Sequence, residues 1–84
     1  MYTVIYDEEA LQKLEKLEKK IRKRIFEKIT STKENPFHYF ERLTGREEYK
    51  LRTGDYRIIA EIDENAKRIT ILFVDHRKNV YKKL

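Results

Sequence analysis

The chain has 84 residues, 20 of them basic and 15 acidic, a net charge of +5, one proline and no cysteine. Such a length sets the expectation of a single domain over residues 1–84 with one modest core, and the missing cysteines exclude a disulfide framework or a thiolate zinc site. No apolar run approaches the roughly 18 residues of a membrane span, and MYTVIYDEEA places no basic region ahead of an apolar one, so the expected setting is cytoplasmic, with no membrane partner.

Tyr2 to Tyr6 is β-branched and aromatic and is predicted to be a short strand. Asp7 follows as a helix N-cap, with Glu8 and Glu9 in the first turn, where the helix dipole favours anions. From Glu8 to about Lys33, Leu11, Leu14, Leu17, Ile21, Ile25 and Ile29 recur at helical steps. One continuous helix there would be roughly 39 Å long, against a radius of gyration of about 12 Å for a domain of this size. A break is therefore expected near Glu18 to Lys20, giving a helical hairpin with the leucine–isoleucine stripe as core.

Asn35-Pro36 is expected to end the second helix, because proline biases the residue before it away from helix. Phe37, His38, Tyr39 and Phe40 then form an aromatic connector. Its rings are read first as a lid on the core and second as a base-stacking surface.

The stretch from Glu48 to Ile62, EYKLRTGDYRIIAEI, reads as a β-hairpin turning at Gly54-Asp55. That turn pairs Thr53 with Tyr56, Arg52 with Arg57 and Leu51 with Ile58. Strand alternation then puts Tyr49, Leu51, Tyr56, Ile58, Ala60 and Ile62 on one face and Lys50, Arg52 and Arg57 on the other. Directly opposed like charges destabilise a sheet, which points to an anion served by this face; the competing reading is a solvated outer surface. Asp63 to Lys67 is a polar turn. Arg68 to Val74 follows as a strand with apolar groups on both faces, expected to lie inside the sheet and to be covered twice. One cover is the helix pair; the other is the chain's own tail or a partner's helix. Asp75 to Asn79 leaves the sheet, and Val80 to Leu84 closes the chain. The fold class expected is α+β: an N-terminal strand, a helical hairpin, then antiparallel strands forming one sheet.

Few catalytic constellations fit. His38 and His76 lack metal-ligand spacing, no phosphate-binding GxxxxGK loop occurs, and Ser31 is the lone serine. What remains is cations with a tyrosine. Arg77 and Tyr81 are four apart and would face the same way on a helical turn. Several convergent Arg and Lys residues suit phosphate best, since guanidinium grips it in bidentate fashion. Nearby cations lower a tyrosine's pKa and make it a usable base. The same residues equally make a plain RNA-binding surface.

The segment YKLRTGDYRIIAEIDE, from Tyr49 to Glu64, with ILFVDHRKNVY from Ile71 to Tyr81 and the lead-in Asn35-Pro36…Leu43-Thr44-Gly45, resembles the RelE toxins of the RelE/ParE superfamily. The order strand, two helices, three strands agrees, and the resemblance covers essentially the whole chain. It implies a metal-independent endoribonuclease without a cofactor. Such a toxin cuts mRNA in the ribosomal A site and leaves a 2′,3′-cyclic phosphate. By resemblance, Tyr81 matches the base, Arg77 the residue aiding the leaving group, and Lys50 and Arg57 those stabilising the phosphate. Arg52, Lys78 and Lys82 would be supporting RNA or ribosome contacts. The resemblance also implies a RelB-like antitoxin. Glu48 stands where some relatives carry a further lysine, and would either weaken phosphate stabilisation or act as an auxiliary base. His76 is a second candidate for proton transfer, read first as a partly exposed neutral histidine. The alternative function is that of a ParE-like toxin that inhibits gyrase without nuclease chemistry.

Overall fold

Thr53 pairs with Tyr56, Arg52 with Arg57 and Leu51 with Ile58 in the computed structural model, which describes residues 1–76. The hairpin is β3 (Tyr49–Thr53) and β4 (Tyr56–Asp63). Gly54 in its turn has a φ of +57°, a left-handed conformation that a side chain would strain. The register is the one that turn position dictates, so the two faces separate as the alternation requires.

Before the hairpin come β1 (Thr3–Tyr6), α1 (Glu8–Glu15), α2 (Lys19–Ser31), a one-turn α3 (Pro36–Tyr39) and β2 (Glu41–Arg42); after it comes β5 (Arg68–His76). Five strands form one sheet in the order β1-β5-β4-β3-β2. The sheet is mixed rather than wholly antiparallel. β1 runs parallel to β5 at one edge, while the other neighbours are antiparallel. A parallel neighbour requires a crossover connection, and the chain from α1 through β4 supplies it.

The helical run breaks between Glu15 and Lys19, overlapping the expected position and starting about two residues ahead of it, and the radius of gyration is 11.9 Å. Leu14, Ile25 and Ile29 from the stripe are buried, and Leu17 and Ile21 pack against them. Leu11 departs from expectation: it is 40% exposed, at the rim of the stripe. α2 also ends earlier than Asn35-Pro36, with Thr32 as its C-cap. Pro36 instead opens α3, where its fixed φ suits the first helical position. The aromatic connector divides accordingly. Phe40 enters the core, whereas Phe37 and Tyr39 are exposed.

The main core lies between the helices and one sheet face, where Leu51, Ile58, Ala60, Ile69, Ile71 and Val74 meet Ala10, Leu14, Ile25 and Ile29. Leu43 and Ile59 form a second buried cluster with Leu72 and Phe73. A bulge explains how one strand serves both. Ile59 pairs with Phe73 and Ala60 with Ile71, so Leu72 is an extra residue on β5. The inward positions on β5 are thus Ile69, Ile71 and Val74, and the Leu72–Phe73 pair joins the opposite cluster. No helix among the described residues is long and apolar enough to cross a membrane.

Tyr6 packs edge-to-face on Phe26, with ring centroids 5.2 Å apart, and burial pushes its hydroxyl pKa up to about 12. The folded chain therefore keeps this proton above the ordinary tyrosine value near 10, where the unfolded chain releases it. Stability tied to Tyr6 is full below pH 10 and is lost as pH rises towards 12. Tyr6→Phe is expected to lose less stability than wild type across that window, measured by urea unfolding at each pH; equal losses would contradict the burial.

Candidate phosphate-binding cleft

Arg57 lies on β4, the central strand, facing away from the helices beside Ile59 of the second cluster. Strands on both sides bury it to 7% exposure. Its Nε and Nη1 are buried without a hydrogen-bond partner among the described residues. A guanidinium so placed is uncommon, because leaving a buried charged donor unpaired costs about 1–3 kcal/mol or more.

The neighbouring residues add positive charge. Arg52 is directly opposite Arg57 on β3, and Lys50 is the diagonal neighbour, opposite Ile59, with Cα atoms about 7–8 Å apart for such pairs. Arg52 is exposed and Lys50 half-buried. Glu41 of β2 pairs with Lys50. β2 flanks β3 only at Tyr49 and Lys50, leaving the outer edge of β3 from Leu51 onward open among the described strands. There the surface forms a cleft of about 270 Å³, lined by Lys28, Tyr39, Glu41, Lys50, Leu51, Arg52 and Arg57. Four cations against one carboxylate give the cleft a local positive excess, the balance an anion would suit.

Glu41 is the one carboxylate in the cleft lining, and Asp75 and Glu48 are held by other residues. Asp75 is the cross-strand partner of Arg57 by register. Its Oδ1 accepts from Lys13 Nζ at 3.3 Å and from the His76 backbone N–H at 2.8 Å. Glu48 is held by Arg46, whose Nε donates at 3.0 Å. That hydrogen bond holds the Glu48 carboxyl below the usual carboxylate range, which disfavours it as a base.

A family model, the ParE toxin of type II toxin–antitoxin systems, matches residues 4–81. A relative from Methanocaldococcus jannaschii named as a RelE4 toxin is 33% identical over 78 residues, spanning 90% of this chain and 83% of that one. The chain belongs to the RelE/ParE toxin superfamily. Solved toxins agree in fold. The toxin–antitoxin complex RelBE2 from Mycobacterium tuberculosis superposes with a TM-score of 0.83 at 29% identity, covering 90% of this chain and 98% of that one. The archaeal RelE–RelB complex from Pyrococcus horikoshii gives 0.75 at 26% identity, covering 90% and 94%.

In this toxin, Lys50, Arg52 and Arg57 of the expected site come together at one cleft. Arg77, Lys78, Tyr81 and Lys82 lie outside the described residues. His76 is half-buried at the end of β5 and meets the Tyr56 ring edge-to-face at 5.6 Å. Lys28 and Tyr39 were not anticipated in the cleft. They come from α2 and from the end of α3, and no sequence spacing ties them to the hairpin.

The orphaned guanidinium yields a stability test. Arg57→Met keeps the length of the side chain and removes the buried charge, so its urea midpoint is expected to rise by the equivalent of about 1 kcal/mol or more. Inorganic phosphate is expected to raise the melting temperature of wild type and leave that of Arg57→Met unchanged. A destabilised variant with an intact phosphate response would refute the assignment.

Proposed function

We propose that this superfamily toxin is a metal-independent endoribonuclease that cleaves mRNA in the ribosomal A site, with a RelB-like antitoxin as its inhibitory partner. The observation that carries the reading is Arg57, a buried guanidinium with unpaired Nε and Nη1 at a cleft shared with Lys50 and Arg52. The antitoxin is supported by those solved relatives that are RelB–RelE complexes.

In the reaction, the ribose 2′-oxygen attacks the adjacent phosphorus and gives up its proton to Tyr81. The P–O5′ bond breaks, and the products are a 2′,3′-cyclic phosphate and a 5′-hydroxyl end. Arg77 stabilises the departing 5′-oxygen, which takes a proton from solvent water, and the proton held by Tyr81 then passes back to solvent, so that no net proton is gained or lost. Arg57 and Lys50 hold the non-bridging phosphate oxygens, whose charge grows in the transition state. Fixed donors aimed at developing charge are usually the largest catalytic contribution. Cations near Tyr81 would lower its pKa from near 10 and enlarge the reactive fraction at neutral pH. Arg52, Lys78 and Lys82 supply further contacts to RNA or to the small subunit.

The matched family model is named for ParE toxins, so the alternative is gyrase inhibition by protein contact. Primer extension on ribosome-bound mRNA separates the two readings. Wild type is expected to cut in the A-site codon, and Arg57→Ala, Arg77→Ala and Tyr81→Phe each to lose about 10²–10³ in rate. Uncut messenger together with loss of gyrase supercoiling would establish the alternative. Full cleavage by an Arg57→Ala/Arg77→Ala double variant would end the proposed mechanism.

Salt gives an independent measure. α2 carries Lys19, Lys20, Arg22, Lys23, Arg24 and Lys28 against the single acid Glu27, which adds to the positive charge of the cleft. Ribosome affinity is expected to fall steeply and linearly on a log–log plot against salt, because phosphate contacts release counterions. A flat response would point to a target recognised without phosphates.

A further inference from the structure

Among the described residues, Tyr39 joins no apolar core cluster that would account for its position. Its neighbour Phe40 is buried in the main core, but Tyr39 belongs to neither apolar cluster and is 40% exposed. It lines the same cleft as Arg57 and Lys50, on the side formed by the helices. Two neighbours fix its ring. Lys28 Nζ stands over it at 5.3 Å from the centroid, and the His38 ring meets it edge-to-face at 4.9 Å. The arrangement is a held aromatic face at the mouth of a cationic cleft, with a further cation from α2 beside it. Single-stranded nucleic acids bind to this combination, their phosphates following the cations while a base stacks on the ring.

We infer that Tyr39 stacks on a nucleobase of the bound RNA next to the phosphate gripped by Arg57 and Lys50, and that Lys28 holds the ring for that contact. The inference rests on the RNA-cleaving reading and deepens it. It adds a base-contacting residue on the helix side of the sheet edge to the phosphate site on the opposite face. Tyr39 is thereby a positioning residue, setting which nucleotide lies beside the scissile linkage. The open edge of β3 past the end of β2 is what allows one RNA segment to reach both.

The test is a binding cycle that needs no cleavage. Short RNA oligonucleotides made uncleavable by 2′-O-methylation, each with one abasic nucleotide at a different position, are titrated at low salt with wild type, Tyr39→Leu and Tyr39→Trp. One abasic position is expected to weaken wild type about tenfold and to leave Tyr39→Leu unaffected, with sensitivity returning in Tyr39→Trp. Lys28→Ala is expected to blunt the same sensitivity. Arg57→Met is expected to bind all the oligonucleotides more weakly yet to keep the abasic penalty. Equal abasic penalties in wild type and Tyr39→Leu overturn the inference, as does no binding of the intact oligonucleotide. Melting curves confirm that the variants are folded. Failure of the RNA-cleaving reading is seen in a different measurement, uncut ribosomal messenger, so the two outcomes are distinguishable.

Discussion

A guanidinium buried in the middle of a sheet, its Nε and Nη1 without a hydrogen-bond partner among the described residues, is the constraint on which this structure turns. Arg57 is on the central strand, and the alternation that delivers Ile58 and Ala60 to the helices forces Arg57 to the opposite face. Burial removes water from the charge, and the unpaired Nε and Nη1 leave that loss uncompensated. The apolar packing of the rest of β4 must offset it. A site that stabilises growing negative charge in a reaction requires the same conditions, since a fixed cation away from water acts more strongly on an anion than one in solvent.

Keeping that charge available depends on where the carboxylates go. By register Asp75 faces Arg57 across the strand pair, the natural place for an ion pair, yet Lys13 of α1 binds its Oδ1. Glu48, close to Lys50 in the chain, is held by Arg46. Asp75 and Glu48 thus each have a cation outside the hairpin's own set, and Glu41 alone remains in the cleft. The chain achieves a local positive excess by pairing its acids with other residues, although acidic side chains are plentiful in its composition.

The bulge at Leu72 has a similar economy. Without it, a strict alternation along Ile69, Ile71 and Phe73 would send Val74 outward. The extra residue resets the phase, so Val74 returns to the helix-side core and Leu72 and Phe73 join Ile59 and Leu43. A run that reads simply as apolar on both faces is in fact two short alternating segments out of step. β2 likewise matters by being short: two residues of pairing leave the edge of β3 open, and the cleft occupies that opening.

The sequence by itself determined the hairpin register, the helix break, the superfamily and the shared face of Lys50, Arg52 and Arg57, because each follows from local periodicity, a turn residue or a contiguous motif. The one-turn helix at Pro36 was marked by its proline, but the same residue also reads as a helix stop, so local chemistry gave two answers. Only the tertiary structure decided that β1 joins parallel to β5, that Arg57 is buried while Arg52 is exposed, and that Lys28 and Tyr39 share the cleft. These depend on which strand takes the centre of the sheet and on where separate elements end beside it. Burial and convergence are properties of the packed chain, and no spacing along Lys28, Tyr39 and Arg57 encodes them.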